Sequence, residues 1–315
     1  MHWLEQLSEF YRADDLPLFH DMVHTEIEVS LSADGYFIGA RYEQLLTVIP
    51  VTEQSVGRTC GLFPHPICDM LGFVAADFHE DTAADIRYSQ GNELYLRQLC
   101  EWCATDYATE ELRTLYRYLS EEKLFNELMA TDVPSRFGAG KLGKAMVRFV
   151  VGDVRLWEDK SLQARHIAYM RSLGSEKDVC CLSGEHTAVI RQHPRHITGV
   201  TGVAKLISSA MLPIGRELSF RAHVVLRRLI ERHGIHIGSK VFIAWDEEGR
   251  GAQMQGAVTV LVLHEVCRGS FAVSLFGSTD AERYARFAEE YPGGGDSEDA
   301  LCALHRLNRL MRGLD

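Results

Sequence analysis

The sequence predicts an α+β fold, of the broad α/β class, in which antiparallel sheets carry helical insertions and short helices close the C-terminus. Three observations lead there. Strict two-residue alternation in Glu26–Leu31, followed by Ala33-Asp34-Gly35 and a returning apolar stretch, marks a hairpin near the N-terminus. Helical periodicity then dominates from about Asn92 to Met129. Strand patterns return after Asp178, with Lys240–Trp245, Ala257–His264 and Phe271–Phe276. A composition of 46% hydrophobic and 24% charged residues over 315 positions supports a sizeable core.

Each element has its own warrant. Trp3, Leu7 and Tyr11 share one face of a short helix that Pro17 terminates. Tyr36–Tyr42 is the return strand of the hairpin, and Leu45–Ile49, closed by Pro50, reads as a third strand of a small meander. Leu94, Leu96, Leu99 and Trp102 give one helix its apolar side. Leu112, Leu115, Leu119 and Leu124 do so for a second, over Thr109–Met129. Met146–Leu156 reads as strand and Ser161–Leu173 as helix. Val179–Leu182 looks like a buried strand, and Phe220 to Ile230 like a helix. Asp280–Glu290 is a short helix, Gly293-Gly294-Gly295 a hinge, and Leu301, Leu304, Leu307 and Met311 an apolar stripe on a last helix. Two regions are expected, residues 1–177 and 178–315.

Charge is segregated. The whole chain carries −11, yet Arg191–Lys240 holds nine Lys/Arg against two acids, Glu217 and Glu231, a local balance of +7. Such a balance speaks to partners and not to fold. On the helix, apolar Phe220, Val224, Val225, Leu229 and Ile230 facing the core would leave Arg221, Arg227, Arg228 and Arg232 outward, suited to phosphates or simply solvated. No apolar run reaches the roughly 20 residues of a membrane span, and the first residues lack a leader pattern, so a cytoplasmic protein is expected. The eight cysteines lack a disulfide rhythm and read as reduced core thiols.

Two loops stand out. Thr52–Thr59 displays Gln54, Arg58 and Thr59 ahead of Pro64-His65-Pro66, a composition suited to a polar ligand or to a rigid turn. Pro134–Gly143 and the following Lys144 carry Arg136, Lys141 and Lys144 without an acid. Gly138-Ala139-Gly140-Lys141 misses the phosphate-loop pattern because Leu142 stands in the hydroxyl position.

Signs of chemistry are weak. Cys100-x-x-Cys103 has no second pair nearby, and His193-x-x-His196 lacks the i, i+4 helical presentation of a zinc site. No metal and no cofactor are expected. Cys180 and Cys181 beside those histidines keep open a stand-alone metal- or thiol-dependent hydrolase or redox enzyme, while the absence of an orienting group or oxyanion hole favours a binder without catalysis.

Several short motifs in one order resemble a known family. They are Ile49-Pro50-x-Thr52-Glu53-x-Ser55-x-Gly57-Arg58-Thr59, then Pro64-His65-Pro66-x-Cys68-Asp69, then Cys181-Leu182-x-Gly184-Glu185 and His193 to Val200. Together they resemble the large subunit of the type I-C CRISPR effector, the Csd family. The chain departs from that pattern after Val200, with Leu206–Met211 in place of the family's Ser-Phe-Asn element, and the family's large C-terminal helical region is not found. The resemblance therefore implies a compact or shortened variant. It implies a subunit of a Cascade-type surveillance complex that recognises the protospacer-adjacent motif and binds double-stranded target DNA during R-loop formation. CRISPR RNA, other Cascade subunits and a helicase-nuclease are the implied partners. On that reading Gln54, Arg58 and Thr59 are candidates for motif contact, because Arg and Gln make bidentate base-edge bonds. Lys141, Lys144, Lys205, Arg227 and Arg228 are candidates for backbone contact. The apolar stripe of the last helix would then be a docking face for helical partners.

Overall fold

The computed structural model describes the chain except residues 1, 57, 59–60, 81–82, 196, 198–205, 208–211, 255–256, 268–269, 279–280, 292–296 and 312–315. Lys205, Thr59, His196 and the Gly293–Gly295 hinge lie outside the described residues. Two compact units form, Leu16–Ser175, and Glu176–Asp315 together with Met1–Asp15. The second unit thus takes its first helix, α1 (His2–Glu9), from the N-terminus.

In the Leu16–Ser175 unit, β1 (His20–Leu31) and β2 (Phe37–Pro50) pair antiparallel around Gly35, which adopts φ +90. The segment Leu45–Ile49 is not a third strand. It continues β2 past a bulge, where the register passes from Thr25↔Leu45 to Ile27↔Tyr42 and two β2 residues oppose one of β1. The third neighbour is supplied from far along the chain: β3 (Val147–Val151) lies parallel to β1, and β4 (Val154–Arg155) turns back on it. The sheet order is β2-β1-β3-β4.

Alternation in β1 predicts one wet face, and the structure buries both. Ile27, Val29 and Leu31 are fully enclosed on one side. On the other, the fully buried Arg148 of β3 donates to Glu28 Oε2 at 3.0 Å and Thr25 Oγ1 at 2.8 Å, pairs with Glu43, and lies against the Trp157 ring. The buried guanidinium thus has two carboxylates and a hydroxyl as partners, with Glu43 at the exposed edge of the layer, which is what burying a charge requires.

Helices α2 (Leu71–Val74), α3 (Asp85–Cys103), α4 (Glu110–Leu119) and α5 (Leu124–Met129) fill the β2–β3 connection. The buried face of α3 is Tyr88, Asn92, Tyr95, Leu99 and Trp102, one position off the Leu94/Leu96 reading. The single helix expected over Thr109–Met129 is two. Glu122 takes φ 54 between them, and the Asp77 carboxylate accepts from Phe125 N and Asn126 N at 2.9 Å each, capping the new start. Helix α6 (Lys160–Ser172), capped by Asp159, ends the unit.

The other unit is built around α7. A small sheet comes first, β5 (Lys177–Val179), β6 (His186–Ile190) and β7 (Ile214–Gly215), in that order. Val179 is exposed, so the expected buried strand over Val179–Leu182 is instead the exposed end of β5 running into a turn. Helix α7 (Arg216–His233) follows, then the sheet of β8 (Ile235–Ile237), β9 (Lys240–Asp246), β10 (Val258–Cys267) and β11 (Ser270–Ser278), in the order β11-β10-β9-β8. Strand alternation now separates two cores. Val241, Ile243, Trp245, Leu261 and Leu263 face α1 and α7, while Phe242, Ala244, Val260 and Val262 face α8 (Ala281–Glu290) and α9 (Ser297–Met311).

That packing corrects one expectation outright. Ala303, Leu307 and Leu310 of α9 are buried against the chain's own sheet, with Leu304 packed beside them. The stripe read as a docking face belongs to a closing helix; the side chains of Leu301 and Met311 lie outside the described residues. No helix among the described residues is long and apolar enough to cross a membrane.

Candidate nucleic-acid interface

The Thr52–Met70 loop is organised by one carboxylate. Asp69 is fully buried. Its Oδ2 accepts from Arg58 Nη1 and from the His65 amide, both at 2.6 Å, and its Oδ1 from Arg58 Nη2 at 2.8 Å and the Met70 amide at 2.7 Å. Four donors serve the two oxygens, so neither is left without a hydrogen-bond partner inside the protein. Arg58 also donates to Phe63 O at 3.1 Å and lies over the Phe73 ring. Further along the loop, Tyr95 Oη donates to Ile67 O at 2.7 Å and Gln98 Nε2 to Pro64 O at 3.0 Å, anchoring the stretch to α3. Ile67 sits at φ 65, a conformation an isoleucine holds only where its surroundings impose it.

At the start of the loop, Thr52 and Ser55 exchange side chain and backbone bonds: Thr52 N to Ser55 Oγ at 2.9 Å and Ser55 N to Thr52 Oγ1 at 3.1 Å. This closes a tight turn that leaves Gln54 exposed at its tip. The second loop is equally fixed. Gly143 is buried, and a Cβ there would meet the Phe78 ring at 2.7 Å and Tyr88 Oη at 2.9 Å, so the backbone runs where only glycine fits. Lys141 and Lys144, to either side of it, are exposed. Neither ammonium makes an ion pair or hydrogen bond among the described residues.

The two loops emerge together. Met70 and Met146 form an isolated antiparallel bridge, with Leu71 N donating to Ala145 O at 2.8 Å and Val147 N to Asp69 O at 2.9 Å. Residues 52–69 therefore end, and residues 136–145 end, at the same hydrogen-bonded point. Lys141 and Lys144 stand just before that point and Gln54 at the far end of the first loop, all three exposed.

The remaining candidates are placed elsewhere or otherwise engaged. Both fork nitrogens of Arg58 are bound by Asp69 and its side chain is only 11% exposed, so the expected base-edge contact is corrected to a loop-bracing role. The outward arginine row on α7 is not found. Arg227 is buried and donates to Arg195 O at 2.8 Å, and Arg228 pairs with Asp15 at 2.5 Å while donating to Phe10 O at 3.0 Å. Arg216 is buried, Arg221 pairs with Glu217, and Arg191 pairs with Glu176. The +7 balance is largely internal wiring, because α7 is enclosed by α1 and by strands of both sheets of its unit.

The cysteine and histidine cluster also resolves. His193 Nδ1 bonds Ser219 Oγ at 2.9 Å, and its ring stacks 6.1 Å from that of His223, a group that burial pushes down to about 3. Cys180 is buried and Cys181 exposed. Burial raises the Cys180 thiol, but hydrogen bonds from Ser183, Gly215 and Leu182 outweigh it and leave the pKa lowered. Cys103 is pushed up to about 11 by burial. Cys100, Cys181 and Cys302 are exposed, so not all the thiols are core. Among the described residues, no group of three or more His, Cys, Asp or Glu is placed to hold a metal ion.

Asp69 and Arg148 were missed as functional supports. Asp69 lay inside a motif that carried the family resemblance, and Arg148 interrupts an otherwise apolar strand one residue in from its start, a signal of a buried partner. A comparison with protein families finds one whose model matches residues 5–300, described as CRISPR-associated protein (Cas_Csd1). No curated protein matches the chain.

Proposed function

The chain belongs to the Cas_Csd1 family of CRISPR-associated proteins, and from that premise we propose that it is the large subunit of a type I-C-like Cascade surveillance complex, acting by binding without a chemical step of its own. In this reading guide RNA supplies most of the sequence specificity by base pairing, and the protein reads a short duplex motif beside the target. Its partners are CRISPR RNA, the other Cascade subunits, double-stranded target DNA and a recruited helicase-nuclease, in the cytoplasm.

The observation that supports it is that two braced loops meet at the Met70–Met146 bridge, the first carrying exposed Gln54 and the second exposed Lys141 and Lys144. Gln54 has the donor and acceptor to grip a base edge, and Lys141 and Lys144 suit phosphates on either side. Arg58 serves this site as a positioning residue, through Asp69. Thr59 is retained as a motif contact and Lys205 as a backbone contact on the strength of the resemblance alone.

The test is binding by the assembled complex, with guide RNA, to duplexes that carry or lack the motif. Gln54→Ala is expected to lower motif-dependent affinity by about 1–3 kcal/mol and leave motif-free binding unchanged. Equal losses on both duplexes would overturn the assignment of Gln54, and a complex that assembles fully without this chain would overturn the subunit role.

A further inference from the structure

A different part of the molecule, in the unit containing α7, holds a cavity of about 180 Å3 whose charged lining is entirely cationic. Arg12 reaches it from the segment after α1, Arg228, Arg232 and His233 from the last turns of α7, and Arg250 with Gly251 from the β9–β10 connection. Guanidinium groups from three separate segments do not converge without something to offset their repulsion.

Part of that offset is visible. Asp15 holds Arg228, and buried Asp246 at 2.7 Å and exposed Glu248 at 3.2 Å hold Arg250; none of the three carboxylates is part of the cavity lining. The carbonyl end of α7 favours a cation or two at its own last turn. Neither accounts for Arg12 and Arg232, which are exposed and make no side-chain ion pair or hydrogen bond among the described residues. Arg232 is thus the exposed arginine of the basic stretch that the internal wiring leaves over.

The wall also depends on glycine. Gly249 takes φ +72 where a Cβ would meet the Phe10 ring at 2.4 Å, and a Cβ on Gly251 would meet the His233 ring at 2.3 Å. The connection therefore runs as close to α7 and Phe10 as a backbone can. Burial, and then neighbouring Arg232, hold His233 below its ordinary value, which disfavours a charge on the ring.

We propose that this pocket binds a phosphate group. Arginine forks match phosphate oxygens in pairs, and several forks around one concavity suit a tetrahedral oxyanion that offers oxygens in several directions. The volume lies below the roughly 300–1,000 Å3 of sites that enclose a whole organic ligand, so the pocket takes the charged group and leaves the rest of the molecule outside. Two sources share this chemistry, a nucleic-acid backbone or end, and a free phosphate or diphosphate. The inference is independent of the motif-reading proposal, because Gln54, Lys141 and Lys144 belong to the other unit.

The experiment titrates the full chain with inorganic phosphate, with pyrophosphate, and with a short duplex, comparing the wild type with Arg12→Gln/Arg232→Gln. Arg97→Gln/Arg155→Gln removes the same charge from the other unit, outside the loops of the candidate interface, as a control. Because Arg12 and Arg232 are exposed and unbridged, their replacement leaves the fold intact, which an unchanged unfolding midpoint verifies. The expected result is a loss of at least about tenfold in affinity for one or more of these probes in the first variant and not in the control. Loss for pyrophosphate, with competition between pyrophosphate and duplex, supports a site open to either source. Loss for duplex alone identifies the polymer backbone as the source. Binding of all three probes that is indifferent to Arg12 and Arg232, no binding of any of them, or a site that responds only to an acidic peptide would overturn the proposal.

Discussion

Helix α7 and the Gly138–Lys144 loop invert the relation between charge in the sequence and charge on the surface. The helix packs five arginines into eighteen residues, and two of them, Arg216 and Arg227, are buried, while Arg221 and Arg228 are joined to acids. The loop belongs to a chain of net charge −11 and has two lysines, both exposed and both without an acidic partner among the described residues. The difference is one of enclosure. A helix flanked by α1 and two sheets leaves most of its cations no free face, so Arg216, Arg221, Arg227 and Arg228 are buried or paired, while Arg232 in the last turn stays exposed. A loop pinned at one glycine leaves its neighbours in water. A count of charges along the sequence measures neither condition.

The largest expected effect concerns the brace under the exposed loop. Asp69→Ala would leave Arg58 buried without its carboxylate and the His65 and Met70 amides without their acceptor. Breaking a buried pair in this way costs about 3–5 kcal/mol, read as a lower urea midpoint. Arg58→Lys is expected to fall between wild type and Asp69→Ala, because an ammonium cannot span both carboxylate oxygens. Wild-type stability in Asp69→Ala would show that the loop is braced by something else, and would make Arg58 a direct DNA-binding residue again.

Acid sharpens the same contrast between enclosed and exposed groups. Burial lowers His20 to about 4 and holds His166 well below its ordinary value, with His20 as a second cause. Both stay neutral in the folded chain while their unfolded counterparts take up protons near 6.5. Their contribution to stability is therefore complete above about pH 6.5. It declines by about 1.4 kcal/mol per pH unit for each group as pH falls toward 4. Neither ring nitrogen of His166 has a hydrogen-bond partner, so His166→Phe removes one titration without removing a bond. Unfolding midpoints measured from pH 7 to pH 4.5 should fall less steeply in that variant. An unchanged slope would mean that the ring is protonated inside the fold.

How much of this was legible follows from what each signal measures. Alternation located β1, because a sheet face repeats every two residues whatever lies beyond it, while near-continuous apolar runs located β9 and β10, strands between two cores. It missed the buried polar layer under Arg148, since the partners Glu28 and Glu43 stand more than a hundred residues away in sequence. Periodicity placed α3 and α7 but not their enclosure. The loop site was legible as a composition, Gln54 and Arg58 before two prolines, while the division between a displayed amide and a braced guanidinium required Asp69 to be seen in place. The closing role of α9 was unreadable for the same reason: an apolar stripe looks alike whether it meets its own sheet or a partner.

The smallest expected effect separates the two regions most directly. Lys141→Ala/Lys144→Ala should leave the unfolding midpoint unchanged, since both side chains are exposed and unbridged, and surface substitutions of this kind stay within about 0.5 kcal/mol. In the assembled complex it should weaken binding to all duplexes alike and reduce the slope of log affinity against log salt by about two, one for each phosphate that is no longer neutralised. Arg216→Ala/Arg227→Ala removes the same formal charge and should do the reverse. It should destabilise the chain by about 1.5–3 kcal/mol, because two buried side chains and the bond from Arg227 to Arg195 O disappear, and leave the salt slope untouched once the protein is folded. The pair of measurements is decisive because each variant is the other's control for net charge. A flattened slope in the arginine variant at wild-type stability would place Arg216 or Arg227 on the nucleic-acid surface and dissolve the contrast, whereas the expected crossing of the two results would assign salt-sensitive phosphate contacts to the Gly138–Lys144 loop.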